Sequence, residues 1–234
     1  MDADRRLGRN LGIAFLVVFA GSAASGALSA SILTDDVDEA MRNVAANTAQ
    51  MRWSTMIDLG ITSVGIVALA VLLYQVLKGR NPVLALVALG WWFAEAITLA
   101  ISTVGAFLLI PVSEAYVAAG AAASSADLAL GETLINLDRQ TWEIHMLFYG
   151  VGALIWYSLM YRQKVVPDWL SLFGVAAVVV GLFSSVIFLA ADIEWFFLGF
   201  PVGLFEVVIG IWLIVKGIAT TGDQAKASAE LVGV

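Results

Sequence analysis

The chain has 234 residues, of which 61% are hydrophobic and only 13% are charged, and its mean hydropathy is +0.91. Soluble domains carry about 25% charged residues, so this composition predicts an integral membrane protein. The lack of cysteine excludes disulfides, thiolate metal sites and cysteine nucleophiles. The net charge of −7 provides no basic surface for nucleic acid.

Six apolar runs are each long enough to cross a bilayer as a helix, which needs roughly 20 residues. They cover about Leu11–Leu33, Trp53–Leu77, Pro82–Ile110, Thr141–Tyr161, Trp169–Ala191 and Trp195–Val215. Because backbone polar groups in lipid must be satisfied within each span, the predicted fold class is an all-α, polytopic bundle of six transmembrane helices. We expect residues 1–219 to form a single membrane domain and residues 220–234 a polar C-terminal tail.

The first span carries no charge, and small residues recur along it at every fourth position. The two rows are Gly21, Ser25 and Ser29, and Ser22, Gly26 and Ala30. Small residues at this spacing let another helix approach closely in lipid. We expect contacts within the chain, and the alternative is a homo-oligomer or a membrane-protein partner that uses this face.

Two longer segments between spans are polar and acidic. In Thr34–Met51, Asp35 and Asp36 stand where they can cap a helix, and apolar residues recur on one helical face. This segment is predicted to be a short amphipathic helix at the membrane surface. The third span is expected to end before Pro111. The alanine-rich segment Val112–Gln140 is then expected to hold a short surface helix or a helix pair.

The basic residues predict how the spans are oriented. With a cytoplasmic N-terminus, nine of them fall on the cytoplasmic side, namely Arg5, Arg6, Arg9, Lys78, Arg80, Arg162, Lys164, Lys216 and Lys226. Three fall on the other side, namely Arg42, Arg52 and Arg139. Because cytoplasmic loops carry an excess of Lys and Arg, we expect a multi-pass protein of the cell membrane with both termini in the cytoplasm.

Ionisable residues inside the spans give the best indication of function. A charge at the centre of the bilayer costs at least ~2.5 kcal/mol unless it faces protein, water or a partner. Three spans place such residues on a polar face of the helix. In the second span this face consists of Ser54, Asp58, Thr62 and Gly65, and in the third span of Trp91, Glu95, Thr98 and Ser102. In the fourth span it consists of Asp138, Thr141, His145, Tyr149 and Gly152. Glu143 is excluded from the last face because it lies about 200° around the helix from His145.

We therefore predict an outward-facing polar pocket between helices that binds a small ligand, a cation or a lipid headgroup. Its predicted residues are Asp58, Glu95, His145, Glu206, Arg52, Trp91 and Tyr149. The alternative for the two glutamates is that they are protonated acids that only hydrogen-bond between helices. For His145 the alternatives are a buried side chain bonded to a neighbouring carboxylate or hydroxyl, a proton relay or pH sensor, and a metal or pigment ligand.

A metal site formed by His145, Glu95 and Glu206 has neither a second histidine nor an HExxH spacing to support it. The sequence requires no cofactor, and no catalytic residue is predicted. A membrane enzyme ranks last, because the spacing of the polar residues matches no catalytic pattern. The main alternative to ligand binding is an accessory or structural subunit of a larger membrane complex.

Several segments, taken in order, are similar to an uncharacterised prokaryotic membrane family, domain of unknown function 4386. They are Met51-Arg52 followed by Asp58, the run Leu72–Leu77, Glu95-Ala96, His145, Tyr161-Arg162 leading to Val166–Leu170, and Glu206 before Gly210–Leu213. The resemblance covers roughly residues 5–218. It implies a six-helix integral membrane protein and supplies no established reaction.

Overall fold

The computed structural model describes residues 3–79, 81–120, 123–191, 193 and 195–219, and this part of the chain is almost entirely helical, without a strand. The helices are α1 (Ala3–Ala30), α2 (Val37–Ala46), α3 (Thr48–Ile57), α4 (Val64–Leu77), α5 (Pro82–Ala119), α6 (Ser125–Gln163), α7 (Asp168–Ala191) and α8 (Phe200–Lys216). A π-helical turn, Asp58–Ser63, joins α3 to α4, and a 3-10 turn, Phe196–Gly199, precedes α8. The predicted tail, residues 220–234, lies outside the described residues, as does Arg80.

Within the described residues, six helical segments are long and apolar enough to cross a membrane. They are Arg5–Ala30, Thr48–Leu77, Pro82–Ala119, Ser125–Gln163, Asp168–Ala191 and Phe197–Lys216. The second of them combines α3, the π turn and α4. These segments confirm the predicted all-α bundle of six transmembrane helices.

The helix α2 begins where the sequence predicts a cap. Its N-cap residue is Asp36, whose Oδ1 accepts a hydrogen bond from the Glu39 backbone N–H at 2.9 Å. This bond satisfies one of the free N–H groups of the first turn. On one face of the helix, Ala40, Met41 and Val44 are buried. The prediction of an amphipathic helix in this segment is confirmed.

The third span does not end before Pro111, so that prediction was wrong. The helix α5 continues through the proline to Ala119. Proline lacks an N–H, which costs the helix one backbone hydrogen bond. However, Leu109 and Ile110 in the same turn are buried in a hydrophobic core. The packing of this turn holds the helix together despite the lost bond.

The segment predicted to hold separate surface helices is instead largely part of two long spans. With 38 and 39 residues, α5 and α6 are each roughly 57–59 Å long at about 1.5 Å per residue. The hydrocarbon core of a bilayer is only about 30 Å thick. Each helix is therefore longer than one crossing of the bilayer requires. The helical residues of Val112–Gln140 form the additional length of α5 and α6.

A charged contact ties α2 to the extended part of α5. The Tyr116 hydroxyl donates to Asp38 Oδ1 at 2.5 Å, and Arg42 Nε donates to the same oxygen at 3.0 Å. The Arg42 guanidinium also lies 5.6 Å from the centre of the Tyr116 ring. First the Arg42 guanidinium and then the Tyr116 hydroxyl hold the pKa of the Asp38 carboxyl below its usual range. This contact therefore stabilises the fold at neutral pH, and its contribution is lost as the pH falls through that lowered pKa.

The chain divides into two compact units. The first contains Met1–Leu16, Val67–Phe93 and Met146–Val234, and the second contains Val17–Ile66 and Ala94–His145. The prediction of a single domain for residues 1–219 stays a prediction.

Aromatic side chains fill the interior of the first unit. Trp92 is stacked on Tyr149, with 5.8 Å between ring centroids, and meets Trp156 edge-on at 6.1 Å. The indole Nε1 of Trp92 donates to the Tyr149 carbonyl at 3.1 Å. Gly152 leaves room for this indole, because a Cβ atom there would collide with it. Aromatic contacts therefore fix how α5 and α6 pack within this unit.

The first and last spans meet at two glycines in the same unit. A Cβ atom added at Gly12 of α1 would lie 2.5 Å from the carbonyl oxygen of Gly210 in α8. Small residues let two helix backbones approach this closely, and at Gly12 the neighbouring backbone leaves no room for a side chain.

In the second unit, apolar residues from four helices form a hydrophobic core. Its buried members are Ile32, Val44, Met51, Ala106, Leu109, Ile110 and Leu134. The residue Ile32 lies two positions after the end of α1, and the others belong to α2, α3, α5 and α6. The amphipathic helix α2 thus packs on the same core as the spans.

Candidate functional site

In the second unit, the polar face of the second span packs against the small-residue face of α1. A Cβ atom at Gly21 would lie 2.9 Å from Thr62 Oγ1, and one at Gly65 would lie 2.8 Å from a Val18 methyl. For the row that contains Gly21, the prediction of contacts within the chain is confirmed. In the other row, Gly26 has no atom within 4 Å of its added Cβ, and an oligomer or partner at that row stays a prediction.

Hydrogen bonds from Ser25 orient Asp58. The Ser25 hydroxyl, on a residue that is 1% exposed, donates to Asp58 Oδ2 at 2.5 Å. The Ser54 hydroxyl donates to the Ser25 carbonyl at 3.0 Å. Interhelical hydrogen bonds in membranes contribute only about 0.6 kcal/mol each. Close packing therefore contributes more to stability here, and the main effect of the bonds is to fix the direction of the Asp58 carboxylate.

The π-helical turn begins at Asp58 itself. Within it, the Ser63 hydroxyl donates to the Asp58 carbonyl at 3.0 Å. Single π-helical turns inside α-helices occur frequently at functional sites. The distortion of the second span thus coincides with Asp58.

A small cavity of about 30 Å³ lies beside Asp58. It is bounded by α1, α3, the π turn, α5 and α6, through Ser29, Met51, Ser54, Thr55, Asp58, Ser102, Thr103, Ala106 and Asp138. We call it the carboxylate cavity. The described lining contains two carboxylates and five hydroxyls, and it contains no Lys, Arg or His. A cavity of this volume holds about one water molecule or one bare ion.

All five hydroxyls of the carboxylate cavity donate their protons to backbone carbonyls. Ser29 and Ser54 donate to Ser25 at 3.2 and 3.0 Å. The other three bonds run to the preceding turn of the donor's own helix, from Thr55 to Met51 at 2.8 Å, from Ser102 to Leu99 at 2.7 Å and from Thr103 to Ala100 at 2.7 Å. Since each hydroxyl has only one proton, their oxygen lone pairs are what these groups offer to the cavity.

The two carboxylates line the same small cavity, and each is partly shielded from solvent. The Ser25 hydroxyl donates to Asp58 Oδ2. The other carboxylate oxygen, Asp58 Oδ1, is buried and accepts no hydrogen bond of good geometry from the described residues. The hydroxyl oxygen of the nearby Thr62 is also buried without a hydrogen bond of good geometry from those residues. Repulsion between Asp58 and Asp138 disfavours two negative charges, so the geometry favours a proton or a cation between them.

A protein-family model matches this chain. The model described as domain of unknown function (DUF4386) matches residues 11–217, which is most of the chain. The chain belongs to the DUF4386 family. This match confirms the resemblance predicted from the sequence. Searches of the curated proteins and of the solved structures gave no match. The function of this DUF4386 chain therefore has to be argued from its own residues.

Four of the seven predicted pocket residues of the DUF4386 chain lie in the second unit. Asp58 lines the carboxylate cavity, whereas Arg52, Glu95 and His145 do not. Arg52 is exposed, and Glu95 is 3% exposed. Asp58 is thus the predicted residue that the second unit places in a polar cavity.

His145 is buried, as expected for a histidine that hydrogen-bonds inside the bundle. Its hydrogen-bond partner, however, differs from the expected carboxylate or hydroxyl. Its Nδ1 lies 2.6 Å from the carbonyl oxygen of Trp142, one turn earlier on α6. The Trp142 ring also packs on the imidazole at 4.5 Å between centroids. The partner is a backbone carbonyl rather than a carboxylate or hydroxyl, because the ring folds back along its own helix.

The other three predicted pocket residues, Trp91, Tyr149 and Glu206, lie in the first unit. There the Glu206 carboxyl hydrogen-bonds with the Tyr149 hydroxyl, which is 3.2 Å from the Tyr157 hydroxyl. Trp91 packs on Phe148, with 5.5 Å between ring centroids. For Glu206 this arrangement matches the alternative of a hydrogen bond between helices. A single pocket formed by all seven residues stays a prediction.

The sequence indicated Asp138 but did not select it as a pocket residue. It was assigned to the polar face of the fourth span together with Thr141 and His145, yet that span was expected to begin only at Thr141. The long helix α6 brings Asp138 into the carboxylate cavity. Membership of a polar face on α6 was the signal that could have identified it.

The described part of the chain contains no group of three or more His, Asp or Glu side chains placed to hold a metal ion. The metal candidates His145, Glu95 and Glu206 therefore stay a prediction without geometric support.

Proposed function

We propose that this DUF4386 protein binds a small hard cation in the carboxylate cavity. The observation that carries the proposal is the acceptor-only lining, because two carboxylates and the oxygens of five hydroxyls surround one small space. The described lining contains no basic side chain. A cation at this position neutralises the repulsion between Asp58 and Asp138. It also connects the second span to α6.

The chemistry of the lining selects the class of cation. Apart from the Met51 thioether, the ligating groups of the lining are oxygens, which suit hard cations such as Na⁺ and Ca²⁺ and suit Zn²⁺ or Cu²⁺ poorly. A volume of about 30 Å³ admits an ion without its water shell. Mg²⁺ usually retains several waters and is therefore disfavoured. A whole lipid headgroup is too large for this cavity.

The full-length protein in detergent is expected to unfold at a higher temperature in Na⁺ or Ca²⁺ than in choline at the same ionic strength. A ligand at one hundred times its Kd stabilises the folded state by about 2.7 kcal/mol. Replacing Asp58 or Asp138 by asparagine removes a hydrogen-bonded or ion-binding charge worth about 1.5–3 kcal/mol. Each variant should therefore bind the ion at least about tenfold more weakly. Thermal unfolding and calorimetric titration with each ion measure both effects.

A matched control and the cation-free state sharpen this test. Glu132→Gln removes an exposed carboxylate six residues before Asp138 on α6 and should leave ion binding unchanged. In choline, Asp138→Asn should be at least as stable as the unsubstituted protein, because the repulsion is gone. If acidification alone stabilises the protein and no metal ion does, the cavity holds a proton and the cation proposal fails. Equal ion effects in Asp138→Asn and Glu132→Gln also contradict it.

We further propose that both termini are cytoplasmic, which puts the carboxylate cavity in the outer half of the membrane. The distribution of basic residues, nine against three, supports this orientation. The natural chain has no cysteine, so single cysteines report the side directly. A membrane-impermeant maleimide should label Ser125→Cys in intact cells and Gly79→Cys only after permeabilisation. The reverse pattern contradicts the orientation.

A further inference from the structure

A second cavity, in the first unit, has a different chemistry. It is a groove of about 240 Å³ between the beginning of α5 and the end of α6, lined by Leu84, Leu154, Ile155, Ser158, Leu159 and Arg162. Four of these side chains are aliphatic, one carries a hydroxyl and one is basic. We infer that this groove binds one acyl chain of an anionic glycerophospholipid whose phosphate contacts Arg162.

The spacing of the residues on α6 gives the groove a direction. From Leu154 to Arg162 the contributing positions follow the i, i+4, i+8 pattern of one helical face. These eight steps correspond to about 12 Å along the helix. One hydrocarbon leaflet is about 15 Å thick, half of the bilayer core. The groove as a whole, with Arg162 at one end, therefore spans most of the thickness of one leaflet.

The charge of the groove lies at one end. Arg162 is exposed in the last turn of α6, where a basic side chain also complements the helix dipole. Its aliphatic stem can lie along the apolar wall while the guanidinium reaches the headgroup level. A guanidinium binds phosphate oxygens through two parallel hydrogen bonds. Basic pockets between transmembrane helices are known to hold anionic lipid headgroups in this way.

The neighbouring basic residue, Lys164, does not line the groove. Charge complementarity with an anionic headgroup therefore rests on Arg162. A substitution at Lys164 provides a control with the same change in net charge.

The test measures lipid binding to the full-length, delipidated protein by native mass spectrometry in a neutral detergent. Dioleoyl phosphatidylglycerol should bind about fivefold more tightly than dioleoyl phosphatidylcholine, because one basic residue near the headgroup contributes about that factor. Arg162→Gln should abolish this preference. Lys164→Gln should keep it, and Arg162→Lys should keep part of it. If Arg162→Gln and Lys164→Gln bind phosphatidylglycerol equally well, the proposed contact is wrong.

A second pair of variants tests the acyl chain. Leu154→Trp fills the groove and should weaken both lipids, whereas Leu172→Trp, at an exposed position of α7, should weaken neither. Glycerol phosphate, a headgroup without acyl chains, should not compete at millimolar concentration. Competition by glycerol phosphate would mean a site for free phosphate, which overturns the lipid assignment. A melting curve for each variant confirms that it is folded before its lipid affinity is compared.

Discussion

Replacing Trp92 by alanine is expected to lower the free energy of unfolding by about 3 kcal/mol. Trp→Ala changes in soluble cores cost about 3–5 kcal/mol. Lipid is as apolar as a protein core, so the transfer contribution is smaller in a membrane protein, and the lower end of that range applies. What is lost is packing, because Trp92 is 1% exposed and contacts both Tyr149 and Trp156. Titration with a denaturing detergent measures the change.

Two further variants separate the contributions of Trp92. Trp92→Phe keeps most of the ring but removes the Nε1 donor to the Tyr149 carbonyl, which should cost about 1 kcal/mol. Phe93→Ala removes the neighbouring aromatic ring, which is 38% exposed, and should change stability by less than about 0.5 kcal/mol. A loss in Trp92→Ala no larger than that in Phe93→Ala would show that the aromatic interior does not hold α5 on α6.

The parts of the fold that depend on local sequence could be predicted. Apolar runs of sufficient length give the six spans, because the bilayer imposes helices on them. The cap at Asp36 follows from a side chain placed directly before an apolar face. The small-residue row at Gly21 and the polar face at Asp58 were both visible as four-residue spacings, and they pack on each other in the second unit.

Features that depend on tertiary packing could not be predicted. Pro111 marks a helix end by its chemistry, and only the buried turn around Leu109 and Ile110 explains why α5 continues. The position of Asp138 within a long helix could not be predicted, since the segment before Thr141 is too polar to be recognised as part of a span. The helix α6 nevertheless begins at Ser125. A sequence also does not reveal where hydroxyl protons point. In the carboxylate cavity, their bonds to backbone carbonyls make the lining acceptor-only.

Replacing Gly12 by alanine is expected to lower the free energy of unfolding by about 2 kcal/mol. The new Cβ would lie 2.5 Å from the Gly210 carbonyl oxygen and 2.9 Å from the Ile214 backbone nitrogen. Both are backbone atoms of α8, so the helices must separate to relieve the collision. Overpacking of this kind costs about 1–3 kcal/mol, and separation also weakens the contacts around it. The same denaturing-detergent titration measures the loss.

Three glycines should then rank by what surrounds them. At Gly210 the nearest atoms to an added Cβ belong to the Leu16 side chain, at 2.7 Å, and that side chain can rotate away. Gly210→Ala should therefore cost less than Gly12→Ala. Gly26→Ala, on the same helix as Gly12 but with nothing within 4 Å, should be neutral or gain up to about 1 kcal/mol from helix propensity. If Gly12→Ala is as well tolerated as Gly26→Ala, the close approach of α1 to α8 does not contribute to stability. A graded loss instead identifies backbone contact, and not the flexibility of glycine, as the reason that Gly12 carries no side chain.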